Sequence, residues 1–223
     1  MRQLLCFLFL FSITKLLAQE EIKTTKSPMI AIDSLYREDQ FYFGITINSL
    51  QNKFENLSKN KISTGFSVGF LRDMPVNKTR TLAVAPGLGL MYNNYIQNIT
   101  ISSTQTTTYN TNRFSQLFVE VPLELRWRNS TYESYKFWRV YGGMKLSYLL
   151  YNNFVFDGNG VETVETNNND FDKFQYGVYL ATGYNTINLY AYYGLNSLFK
   201  TLNNQEQRLD LKAFNVGIIF YIL

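Results

Sequence analysis

Histidine is absent from this 223-residue sequence, and cysteine occurs once, at Cys6. Cys6 lies in an N-terminal stretch that reads as a secretory signal. Arg2 is its charged start, residues 4 to 13 its apolar run, and Leu16-Leu17-Ala18-Gln19 its cleavage region. Cleavage near Gln19 leaves a chain with neither residue type, which excludes a disulfide framework, a thiol nucleophile and the usual zinc or copper ligand sets. Without a histidine as general base, and with no other nucleophile-and-base arrangement in view, the sequence reads as non-enzymatic, with no catalytic residue, cofactor or metal.

Long apolar runs are missing too. A membrane helix needs about 20 consecutive apolar residues, and the N-terminal run is cut by Thr14 and Lys15. Lipidation at Cys6 fails as well, because Leu5 stands where a small residue belongs and almost nothing apolar precedes it. Nor does one sign of charge dominate. Loss of Arg2 and Lys15 takes the basic residues from 21 to 19 against 17 acidic ones, a net charge of +2. The basic pI therefore points to no nucleic-acid partner, and no small-molecule substrate is evident.

What the sequence does have is aromatics, 17% of the chain, and a two-residue period. Phe41, Phe43, Ile45 and Ile47 alternate with Tyr42, Gly44, Thr46 and Asn48, one set on each face of a strand. The pattern returns from Ile62 to Phe70 and from Leu82 to Tyr92, where Pro86 removes a ladder donor and belongs at an edge or bulge. It returns again from Leu117 to Trp127, Trp138 to Leu150, Phe174 to Tyr184 and Ile187 to Leu195. A last strand from Ala213 is apolar on both faces near its end, so its facing stays open. Long polar connections (51 to 61, 94 to 113, 152 to 172, 197 to 209) alternate with shorter ones (71 to 80, 129 to 136, 185 to 186), as in a bacterial barrel whose long loops lie outside the cell. The expectation is an all-β, eight-stranded, antiparallel, up-and-down transmembrane barrel in the bacterial outer membrane. Residues 1–19 are its signal peptide, 20–39 a periplasmic lead-in and 40–223 the barrel, with both termini periplasmic.

A lipocalin-like soluble barrel hides its apolar face around a ligand, whereas a membrane barrel shows it to lipid. The second face here is rich in glycine, serine and charge, which suits a narrow interior and makes outer-membrane lipid the partner of the first. Phe41, Phe70, Trp127, Trp138 and Tyr184 at the short-turn end, and Tyr92, Tyr148, Phe174 and Tyr193 at the long-loop end, would then form two interfacial girdles. Glu120, Glu124, Arg126, Arg128, Arg139 and Lys145 fall on the inner face and must pair there, because an isolated buried charge is very costly. Two registers are open: Glu120 opposite Lys145, or Glu124 opposite Arg139. The cluster is either a structural filling or a polar pathway or docking pocket.

Several segments carry a family resemblance. They are Asp33-Ser34-Leu35-Tyr36-Arg37-Glu38-Asp39-Gln40-Phe41-Tyr42-Phe43-Gly44-Ile45, Arg72-Asp73-Met74-Pro75, Glu120-Val121-Pro122-Leu123-Glu124-Leu125-Arg126-Trp127-Arg128 and Lys136-Phe137-Trp138-Arg139. Together they resemble the PorT family, small porin-like outer-membrane proteins of the Bacteroidota. The resemblance implies a role in type IX protein secretion and gliding motility, with other secretion-machinery proteins as partners. The lead-in has a short apolar repeat at Ile32, Leu35 and Tyr36, and is either a disordered entry or a docking handle. The acidic stretch from Asn153 to Asp172 lacks the spacing of a calcium loop and reads as a solvated surface loop, as does the threonine-rich stretch from Ser102 to Thr111. The function expected is thus a structural or accessory secretion barrel; the alternatives are a small porin-like passive channel or a general structural outer-membrane barrel and, least favoured, a membrane-embedded enzyme.

Overall fold

The computed structural model describes residues 39–51, 62–97, 111–129, 138–158, 161–200 and 211–222. The signal peptide, most of the lead-in and the threonine-rich stretch up to residue 110 lie outside the described residues. Eight long strands run in chain order: β1 Gln40–Gln51, β2 Ser63–Leu71, β3 Leu82–Gln97, β4 Thr111–Arg128, β5 Trp138–Gly158, β6 Phe174–Tyr184, β7 Ile187–Gly194 and β8 Lys212–Ile222. Each pairs antiparallel with its sequence neighbours, and β1 pairs with β8 from Phe41↔Ile222 to Gln51↔Lys212, so the sheet closes on itself. Closure matters in hydrocarbon, where each unpaired backbone group costs several kcal/mol. Two short strands are appended. Met74–Pro75 pairs with Ala83 and Val84, and Val161–Thr166 pairs with the far end of β5.

The alternation read from the sequence is the alternation of exposure. Phe66, Val121 and Leu146, with the rest of the apolar series, face outward, while Ser67, Glu120 and Ser147 face inward or toward their neighbours. In β8, Val216, Ile218 and Ile222 face out, and Asn215, Ile219 and Tyr221 face in. Inward glycines make room for inward tyrosines. A Cβ on Gly69 would lie 2.5 Å from the Tyr42 ring, one on Gly143 2.9 Å from that of Tyr179, and one on Gly177 2.6 Å from that of Tyr192. Eight strands leave an interior only wide enough for side chains, and large rings fit it where the neighbouring strand has none, as Tyr42 does opposite Gly69 and Tyr179 opposite Gly143.

Four expectations need correction. Pro86 lies at neither edge nor bulge: the register is constant from Ala85↔Glu124 through Pro86↔Leu123 to Gly89↔Glu120, and the ladder lapses only at Gly87 opposite Pro122 and Leu88 opposite Val121. Two residues without an N–H lie in or beside one gap, which confines the loss of hydrogen bonds. The bulge is in β5, where Leu117↔Tyr151 is followed by Phe118↔Leu149. Leu150 is the extra residue, Leu150 and Tyr151 both face out, and Asn152 and Phe154 consequently turn inward. Residues 153–172 are not one surface loop, because β5 continues to Gly158 and folds back as Val161–Thr166. Finally, neither proposed charge register holds: Glu120 stands opposite Ser147, and Glu124 opposite Gly143.

The two-residue turn between β6 and β7 does occur, closing at Tyr184↔Ile187 with Asn185 at φ 57°. Asparagine is among the few non-glycine residues that adopt this conformation readily, which explains a tight turn without glycine.

Candidate functional site: the filled lumen

The inner face of β4 carries Glu120, Glu124, Arg126 and Arg128 at two-residue spacing, and β5 adds Arg139 and Lys145; all six are buried. Strand period alone places the four on one line. Their partners come from the same strand, from the next strand and from across the barrel. Lys145 Nζ lies 2.9 Å from Glu120 Oε2, a diagonal contact, since Lys145 is in register with Pro122. The Tyr42 hydroxyl donates to Glu120 Oε1 at 2.6 Å, and Lys145 donates to the Tyr190 hydroxyl at 3.0 Å. This first cluster ties β1, β4, β5 and β7 together.

The second cluster lies toward the short turns. Arg126 Nε donates to Glu124 Oε2 at 2.9 Å, and the Tyr221 hydroxyl donates to Glu124 Oε1 at 2.8 Å. Asp73 sits just beyond β2, fully buried, and accepts from Arg126 at 3.1 Å and from both terminal nitrogens of Arg128 at 3.0 and 2.9 Å. Such a two-point guanidinium–carboxylate contact is among the strong ones. Arg128 also donates to the Arg80 carbonyl at 3.1 Å, so the turn after β2 is held into the barrel mouth from both sides. Arg128 and Arg139 are direct cross-strand neighbours, an arrangement of like charges that is unfavourable. The Asp73 carboxylate offsets it. The Arg126 guanidinium lies 4.9 Å from the Tyr141 ring centre, and that of Arg139 5.8 Å. Between the clusters is a cavity of about 10 Å³ lined by Tyr42, Leu71, Glu124, Lys145, Tyr179 and Tyr190, among others, room for about one water molecule.

At the long-loop end the filling is aromatic. Phe114 packs on Tyr95 at 4.9 Å, Phe171 at 5.5 Å, Phe154 at 5.9 Å and Phe199 at 6.0 Å, and Phe171 bridges to Phe199 outside the main strands. Below them, Asn48 donates to Asn93 at 3.0 Å.

The residue-level reading found the six charges but not Asp73, the tyrosines that complete the clusters, or the aromatic cluster. Asp73 had a signal: it continues the inward series Ser67, Gly69, Leu71 by one more step of two. The nine aromatics assigned to girdles are all exposed on the outer wall. Phe41 and Phe70 lie 5.2 Å apart, Trp138 and Tyr184 5.8 Å, and Tyr148 and Phe174 5.0 Å. Among the described residues, no group of three or more histidine, cysteine, aspartate or glutamate side chains could hold a metal ion.

A closed antiparallel barrel with an apolar outer wall and a packed, ion-paired interior is a transmembrane β-barrel of the outer-membrane class. Residues 18–200 match the family described as "Outer membrane protein beta-barrel domain", and the chain belongs to that family. Among solved structures it is similar to Ail, the attachment invasion locus protein of Yersinia pestis, at 12% identity over 83% of this chain and 97% of that one, with a TM-score of 0.39. A second structure of Ail, in complex with the heparin analogue sucrose octasulfate, gives 11% identity, 82% and 96% coverage and a TM-score of 0.37. No curated protein matches the chain.

Proposed function

We propose that this non-catalytic outer-membrane barrel is a sealed structural scaffold that conducts nothing, and that it works through protein contacts at its ends or its lipid-facing wall. The carrying observation is that both halves of the lumen are filled, one by ion pairs and tyrosines and the other by stacked rings. On this reading Glu120, Glu124, Arg126, Arg128, Arg139 and Lys145 are structural filling. The two rows of outward aromatics are the membrane girdles, and an even strand count leaves both termini on the periplasmic side. Planar-bilayer recording of the reconstituted chain tests it. No conductance above the bare membrane is expected, and discrete openings would replace this reading with the narrow channel.

The finer role we propose is accessory service to the type IX secretion machinery. Its support is the resemblance of the 33–45, 72–75, 120–128 and 136–139 segments to the PorT family. Deletion of the gene in its host should abolish export of secreted adhesins and colony spreading. Normal export in the deletion strain would remove the secretion role while leaving the sealed barrel standing.

A further inference from the structure

β5 is the longest strand and changes partner along one edge. From Trp138 to Tyr148 it pairs with β6, and from Asn153 onward with Val161–Thr166. At the handover Leu149 N–H still donates to the Lys173 carbonyl at 2.8 Å and Asn167 N–H to the Asn152 carbonyl at 2.8 Å, and between these two contacts the bulged Leu150 and Tyr151 stand opposite residues 168–172. The result is a pocket of about 350 Å³, lined by Tyr148, Leu150, Asn167, Asn169 and Lys173, with Asn152 and Phe171 behind them. That volume lies within the range of small-molecule sites, about 300–1,000 Å³.

Its lining is divided in two. Tyr148 and Leu150 belong to the outward, lipid-facing series and form an apolar floor continuous with the outer wall, beside exposed Phe174. The roof is polar and rigidly held. Asn168 N–H donates to Asn152 Oδ1 at 2.8 Å, Asn152 Nδ2 donates to the Asn168 carbonyl at 3.2 Å, and Asn167 N–H donates to the Asn152 carbonyl at 2.8 Å. Buried Asn152 thus fixes the turn while the side-chain amides of Asn167 and Asn169 and the Lys173 ammonium make no bond among the described residues. Asp170 and Asp172 on the excursion, with Glu165 on the strand before it, outnumber Lys173, which disfavours a multiply charged anion. The groups offered suit a ligand rich in hydroxyl and ether oxygens, since amides supply a paired donor and acceptor and the ammonium three donors.

From this juxtaposition, an apolar floor open to the bilayer beneath a ridge of uncommitted amide and ammonium groups, we infer that the pocket binds the sugar headgroup of a membrane glycolipid. The acyl chains lie along Tyr148, Leu150 and Phe174. The assignment is independent of whether the barrel conducts.

Native mass spectrometry of the full chain released from phosphatidylcholine nanodiscs doped with monoglucosyl diacylglycerol tests it. One glycolipid should stay on each barrel. The Asn169→Ala/Lys173→Ala double variant, with heat-modifiable gel mobility as its folding check, should retain about five- to tenfold less, as expected for lost hydrogen bonds. Should that variant not fold, Leu150→Trp, which fills the floor from a lipid-facing position, gives the same expected loss. Equal retention by wild type and the folded variant, or equal retention of phosphatidylcholine, overturns the assignment. Displacement of the lipid by methyl glucoside at matched concentration would overturn the membrane source of the sugar.

Discussion

The two ends of the lumen are filled by opposite chemistries. Toward the short turns, Asp73, Glu124, Arg126 and Arg128 interlock through directional, charge-assisted hydrogen bonds. Toward the long loops, Tyr95, Phe114, Phe154, Phe171 and Phe199 simply pack ring against ring, stacked, tilted or edge-on. Both exclude water, yet they fail differently. An ionic filling depends on the identity of each member, because removing one partner strands a charge in a low-dielectric interior. An aromatic filling depends on volume, and a different apolar shape can relax into the space. The end that needs exact partners is the end where a turn folds back into the barrel; the tolerant end receives residues from the connections.

The sharpest test is the smallest chemical change. Asp73→Asn keeps size and shape but removes the charge that neutralises two buried guanidiniums, one of them directly opposite Arg139. Loss of a buried partner should destabilise the barrel by about 3–5 kcal/mol, read as a lower midpoint of urea unfolding from lipid vesicles. Wild-type stability would mean that the two arginines are satisfied without Asp73, and the contrast between the ends would vanish. Gly89→Ala probes the boundary between the two fillings. Its Cβ would collide with the Tyr42 hydroxyl that donates to Glu120, and overpacking of this kind costs about 1–3 kcal/mol. At the other end, Phe114→Leu should cost less than about 1.5 kcal/mol in the same measurement, the range of apolar swaps of similar volume. A loss equal to that of Asp73→Asn would show the aromatic end to be just as exacting.

How far these ends were legible in the sequence follows the same division. Period two exposed the charged line on β4, because Glu120, Glu124, Arg126 and Arg128 share parity within one uninterrupted strand. Asp73 lay three residues past Phe70, where this alternation was taken to end, inside the connection read as 71 to 80. The aromatic end was hidden by the bulge: Phe154 is even-numbered, whereas the inward residues of β5 below Leu150, such as Lys145 and Ser147, are odd-numbered. Leu150 has no local mark of a bulge. Phe171 and Phe199 lie outside the strands, beyond the reach of any periodicity. In β8, Ile218 and Ile219 are the same residue on opposite faces, and only the pairing of Ile218 with Ile45 tells them apart. Register across strands is a property of closure, and no single strand encodes it.

The smallest effect isolates burial from charge. Arg72 and Asp39 form an ion pair at 3.4 Å at the same end of the barrel as Asp73, with side chains 50% and 31% exposed. Asp39 also accepts the Asp73 N–H at 2.8 Å, a contact that does not involve the Arg72 side chain. In water the Coulomb gain of such a pair is small and is offset by ordering two side chains, so Arg72→Ala should shift stability by less than about 1 kcal/mol. Added salt should shrink even that difference, because exposed pairs are screened, while leaving the Asp73→Asn deficit nearly intact. If Arg72→Ala matched Asp73→Asn, or if salt erased both, the sensitivity of this end would come from its charges as such. If they separate as expected, it comes from the lumen, where the same aspartate–arginine chemistry has no solvent to fall back on.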